Sequence, residues 1–124
     1  MNIKSDSKEV VETYDGSNDE ALLLVRGVRG TKEENKMYVK QLAVAISTTF
    51  QKHQVVRLRC IGNGAIGNTV KAHAIAASEL HRRGIKLVAE PSWKTVDFDG
   101  QGTERTSIVY QLQDAKNVTY TDGV

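Results

Sequence analysis

A chain of 124 residues with 40% hydrophobic side chains can bury one compact core and not two, which predicts a single folded domain. One cysteine, Cys60, excludes an internal disulfide and argues against a cysteine-based metal site. No apolar run reaches membrane-spanning length and Met1–Glu20 lacks a signal-peptide core, so a cytoplasmic protein with no membrane partner is expected.

The net charge of +2 is unevenly spread. Residues 1–20 hold six acids (Asp6, Glu9, Glu12, Asp15, Asp19, Glu20) against Lys4 and Lys8, a net of −4, which leaves +6 on the rest. This leader is poor in large apolar residues and is expected to stay mobile. The domain proper is placed at residues 21–113 and a polar tail at 114–124. The basic body tilts the expectation towards a polyanionic partner.

Ala21–Val28 (ALLLVRGV) reads as a short strand, followed by a loop at Arg29-Gly30. From about Glu34 to Lys52, Val39, Leu42, Ala43, Ile46 and Phe50 recur at three- and four-residue spacing, which predicts a helix with one apolar stripe. Val55–Ile61 alternates, with Val56, Leu58 and Cys60 on one side and Arg57 and Arg59 on the other, as a half-buried strand does. A second helix is predicted over about Ala65–Arg83, rich in alanine and stopped by Gly84. Ile85–Glu90 reads as a third strand ended by Pro91. After a Gly-containing turn (Asp97–Thr103), Thr106–Gln113 alternates through Ile108, Tyr110 and Leu112. The order β-α-β-α-β-β, closing on an antiparallel hairpin, predicts an α/β two-layer sandwich with two helices on one face of a four-stranded mixed sheet.

Between the second strand and second helix lies CIGNGAIGNTVKAHAIA, with a full G-x-G-x-x-G at Gly62, Gly64 and Gly67. A dinucleotide-binding fingerprint would sit at such a junction, and Glu90 stands where a ribose-binding acid is expected. Against that, a hairpin and tail follow in place of further β-α units. Alternatively, Gly62 and Gly64 permit a tight turn and Gly67 close helix packing, with free N–H groups at the helix start available to phosphate.

CIGNGAIGNTVKAHAIA, Pro91, Thr95 and DFDG…ERTSI together resemble the stage V sporulation protein S family of bacteria and their viruses, itself similar to the Alba chromatin proteins. The resemblance covers roughly Leu22 to Leu112. It implies an Alba-like fold, a homodimer or higher oligomer that binds DNA or RNA through basic loops and a β-hairpin as Alba proteins do, and, for the sporulation family, nucleic-acid binding or a regulatory role. Alba proteins have arginines in the turn before the second helix, where this chain has Gly62, Asn63 and Gly64.

The candidate nucleic-acid contacts are Arg29, Lys32 and Lys36 in or beside the first loop, Arg57 and Arg59 on the strand, and Asn63, Gly64, Asn68 and Lys71 at the glycine turn and the start of its helix. Lys94 and Arg105, on opposite arms of the hairpin, complete the set. Arg57 and Arg59 have a competing structural role as cross-strand partners of Glu90. Trp93 and Phe98 are the aromatic platforms near the hairpin.

His53, His73 and His81 have no metal-ligand spacing, Ser78 and Ser107 lack a nucleophile-elbow context, and Cys60 alternates into the core. The expectation is therefore a non-enzymatic protein without cofactor or metal, holding backbone phosphates with little sequence choice. The alternatives are a homo-oligomeric protein-interaction module that does not bind nucleic acid, and a dinucleotide-binding enzyme built on G-x-G-x-x-G.

Overall fold

The computed structural model describes residues 19–97 and 100–119. The leader's first 18 residues, Phe98 and Asp99, and residues 120–124 lie outside them, so the expectations placed there concern residues beyond those described. The elements are β1 (Leu22–Val25), α1 (Lys32–His53), β2 (Val55–Cys60), α2 (Asn63–His81), β3 (Leu87–Asp97) and β4 (Glu104–Asp114), with a 3-10 turn at Ala115–Asn117. The turn and Asp114 fall within the stretch read as tail.

The sheet order is β1-β2-β4-β3. β1 runs parallel to β2, while β4 is antiparallel to both of its neighbours. β3 therefore points the same way as β1 and β2. Both crossovers, β1-α1-β2 and β2-α2-β3, advance in one direction across the sheet. Right-handed crossovers then put both helices on the same face. The result is the two-layer sandwich expected, with α1 and α2 packed side by side over the sheet.

Register explains which side chains are inside. Val56, Leu58 and Cys60 pair with Leu112, Tyr110 and Ile108, and these face the helices. From the other layer come Val39, Leu42, Ala43, Ile46 and Phe50 of α1 and Ala65, Ala72, Ala76 and Leu80 of α2, all buried. Tyr38, absent from the predicted stripe, joins them at 1% exposure. α1 starts on a reciprocal capping box, in which Glu34 N–H donates to Thr31 Oγ1 (3.1 Å) and Thr31 N–H to Glu34 Oε1 (3.1 Å). Those hydrogen bonds hold the Glu34 carboxyl below its ordinary range.

Pro91 does not end its strand: β3 continues to Asp97, with Pro91 opposite Tyr110. Among the described residues β3 is an edge strand, hydrogen-bonded only to β4. A residue without an N–H is tolerated there because its nitrogen can face away from the ladder.

Candidate nucleic-acid interface

Because β1, β2 and β3 are parallel, their C-terminal ends meet at one end of the molecule. The β1–α1 loop, the N-termini of both helices and the β3–β4 arm all leave from there. A mutual amide pair fixes the two helix starts against each other. Asn35 Nδ2 donates to Asn68 Oδ1 (3.0 Å) and Asn68 Nδ2 to Asn35 Oδ1 (3.1 Å). The second hydrogen of Asn68 Nδ2 goes to the Arg26 carbonyl (3.2 Å), which ties the loop to the same point. Arg26 N–H donates to Tyr38 Oη (3.1 Å), and its guanidinium lies 4.2 Å from the Tyr38 ring centroid.

The glycine corner follows directly on Cys60. Gly62 has φ +90° and is the N-cap of α2, and Ile66 N–H to the Gly62 carbonyl (3.1 Å) closes the first turn. The N–H groups of Asn63, Gly64 and Ala65 precede that bond and have no acceptor within the helix. Gly64 is required for packing, since a Cβ there would come within 3.0 Å of the Val28 backbone nitrogen. Gly67 was expected to allow close packing and does not: a Cβ at that position meets open space. Thus two of the three glycines explain themselves by a turn and a loop contact, while the third has no steric reason.

The cofactor reading also loses its acid. In a dinucleotide fold that acid stands on the parallel strand beside the glycine strand. Here antiparallel β4 separates β2 from β3, and Glu90, opposite Gln111, lies on the sheet face away from the helices. For the same reason Glu90 is not the partner of Arg57 or Arg59. Arg57 instead holds Asp19, its Nη1 donating to both carboxylate oxygens at 3.1 and 3.3 Å, and its Nε donates to Gln111 Oε1 (3.2 Å).

The structure sorts the remaining candidates. Arg29, Lys32 and Lys36 are exposed on the loop and first turns of α1, Asn63 is exposed at the start of α2, and Gly64 is half-buried beside it. Lys94 and Arg105 are exposed on the arm, where Lys94 opposes Ser107 and Arg105 opposes Val96. These seven share one end of the molecule. Lys71 is exposed but sits near the middle of α2, about 12 Å along the axis from Asn63 at 1.5 Å per residue. Arg57 and Arg59 lie on the open sheet face. Asn68 is 1% exposed and its amide hydrogens are committed to Asn35 and Arg26, so it is a brace and not a surface contact. Trp93 is 73% exposed on the helix side of the arm.

Sequence reading missed Arg26, Asn35 and Tyr38, the residues that seat the loop. Tyr38 was detectable, because Tyr38, Leu42 and Ala45 share one helix face at four- and three-residue spacing. Asn35 was not, since its partner is 33 residues away.

Cys60 is buried, its Sγ 3.1 Å from Thr69 Oγ1, whose own proton goes to the Ala65 carbonyl (2.9 Å). Burial raises the Cys60 thiol above its ordinary range and likewise raises the Tyr110 phenol. Among the described residues, no three His, Cys, Asp or Glu side chains gather as a metal would need. No helix among them is long and apolar enough to cross a membrane.

The family model described as Stage V sporulation protein S (SpoVS) matches residues 34–115. That span runs from the first turn of α1 through the glycine corner and both arms of the hairpin.

Proposed function

The chain belongs to the stage V sporulation protein S family, which makes it a sporulation-related regulatory protein, and we propose that it acts by binding nucleic acid as a non-enzymatic homodimer. The mode is contact with sugar–phosphate backbone, as in the Alba proteins, with little choice of sequence. The supporting observation is that Arg29, Lys32, Lys36, Asn63, Gly64, Lys94 and Arg105 lie at one end, where two helix N-termini and an exposed arm converge. Helix N-termini favour anions through their free N–H groups and the helix dipole, and of the two it is α2 that starts without a side-chain cap or an acid, since the Thr31–Glu34 box closes the start of α1. Cations on a projecting arm add charge without cost to the core. Trp93, exposed on that arm, offers one face for a base or a groove wall.

The test is a mobility-shift series on a DNA duplex and its RNA counterpart at rising salt. About four to six phosphate contacts per subunit, hence about eight to twelve for the dimer, predict an affinity falling roughly 10⁴–10⁶-fold between about 50 and 200 mM salt. Replacing Arg29, Lys32, Lys94 and Arg105 together by glutamine is expected to weaken binding by at least about tenfold and flatten the salt slope. Absence of a shift at the low-salt end, or a shift indifferent to the fourfold variant, rejects the proposal.

A second reading has its own observation. Val28, Val70 and Trp93 are 62%, 49% and 73% exposed, and the turn Gly62–Gly64 carries no cation. An interaction module would use such apolar side chains against a protein. It predicts no salt-sensitive shift and a protein partner whose binding is lost in Trp93→Ala.

A further inference from the structure

The face of the sheet opposite the helices carries a different set of residues. β1–β2–β4 register places Leu22, Leu24, Arg57, Arg59, Val109, Gln111 and Gln113 there, with Glu90 further across on β3. Neither helix covers this face. Yet Leu22 is only 5% exposed, and the Arg59 Nε is shielded from solvent. The chain enters at the same edge: Asp19 grips the Arg57 guanidinium, Ala21 N–H donates to Asp19 Oδ1 (3.0 Å), and Arg57 N–H donates to the Ala21 carbonyl (2.8 Å).

We propose that this open face is the docking surface for the acidic segment 1–18 of the same chain. Charge and reach support that occupant. Segment 1–18 contains Asp6, Glu9, Glu12 and Asp15 against two lysines, and it leads straight into the Asp19–Arg57 ion pair. Arg59 stands two residues beyond Arg57, about 7 Å along the strand, and Val109 one strand further over, about 5 Å away. Even a few residues of extended chain, at about 3.3 Å each, reach both. Val10, Val11 and Tyr14 are interleaved with the acids, matching a face that mixes Leu22, Leu24 and Val109 with two arginines. An ion pair already formed at Asp19 holds the next acids near Arg59 at high effective concentration. Docking there surrounds Arg57 and Arg59 with carboxylates of their own chain, so these two arginines do not belong to a phosphate interface. The proposal stands whether or not the protein binds nucleic acid.

A spin label on the full chain tests it. Ser7→Cys takes a nitroxide, while buried Cys60 stays unreacted, as the mass of the singly labelled product checks. Loss of amide signal is expected at Leu24, Arg59, Val109 and Gln111. Recovery is expected at about 1 M salt, where the Debye length is about 3 Å, and in Arg57→Gln/Arg59→Gln. Undiminished signals on the open face, loss confined to the helical layer, or broadening that survives both high salt and a folded double variant would overturn it. So would transfer of the effect to an isotope-labelled chain mixed with a spin-labelled, unenriched one, since the occupant would then be a second copy. If the double variant fails to fold, the salt arm on the native face decides alone.

Discussion

The β3–β4 ladder has two halves built from the same two strands under opposite rules. In the half bordered by β2, Leu87 and Leu112 are 5% and 0% exposed and Ala89 packs against the core. Past the pair Cys60–Ile108, β2 has ended and the ladder runs on alone. There Lys94, Thr95, Glu104, Arg105 and Thr106 are all exposed, with Ser107, next to the boundary, the one buried residue among those described, and Gly100 and Gly102 turn the chain with positive φ. A shared backbone ladder thus carries a core on one side of a boundary and a display surface on the other. Whether a third strand and a helix lie alongside decides what its side chains do.

Substitutions should break along that boundary. Leu112→Ala, in the bordered half, deletes a fully buried side chain and should lower unfolding free energy by about 2–5 kcal/mol in denaturant titration. A loss below about 1 kcal/mol would mean the two halves are not so different. Off the ladder, at the glycine corner, Gly64→Ala drives a Cβ towards the Val28 backbone, which cannot swing away like a side chain, and should cost on the order of 1–3 kcal/mol. Gly67→Ala, three residues on and facing open space, should instead stabilise by about 0.5–1 kcal/mol through helix propensity. Equal effects at the two glycines would refute the packing difference between them. Smallest is Lys94→Gln on the free half, expected to leave stability within about 0.5 kcal/mol while contributing to the loss of nucleic-acid affinity in the fourfold variant.

Much of the fold was legible because period reports face. The alternation Val56, Leu58, Cys60 and its counterpart Ile108, Tyr110, Leu112 pointed to the same buried layer, and the two chains of residues turn out to be direct cross-strand neighbours. The apolar stripe of α1 and the small-residue helix α2 were equally readable, and the family model covers most of that span. The candidate site was legible only as a set of loops. Asn68 looked like a surface amide because nothing in its neighbourhood announces a partner on another helix. Lys71 looked close to the glycine turn because distance along the chain was read as distance in space, although a helix carries each residue about 1.5 Å further from its start. Pro91 looked like a terminator because whether it sits on an edge strand depends on strand order.

By itself the sequence determined the elements, their buried faces and the glycine corner, since these follow from local period, backbone freedom and capping chemistry within a few residues. Only the tertiary structure decided that β4 lies between β2 and β3. That single choice moved Glu90 away from Arg57 and Arg59 and made β3 an edge that accepts Pro91. Strand order is a matter of long-range hydrogen-bond pairing and crossover handedness, and neither leaves a mark on any short stretch of residues.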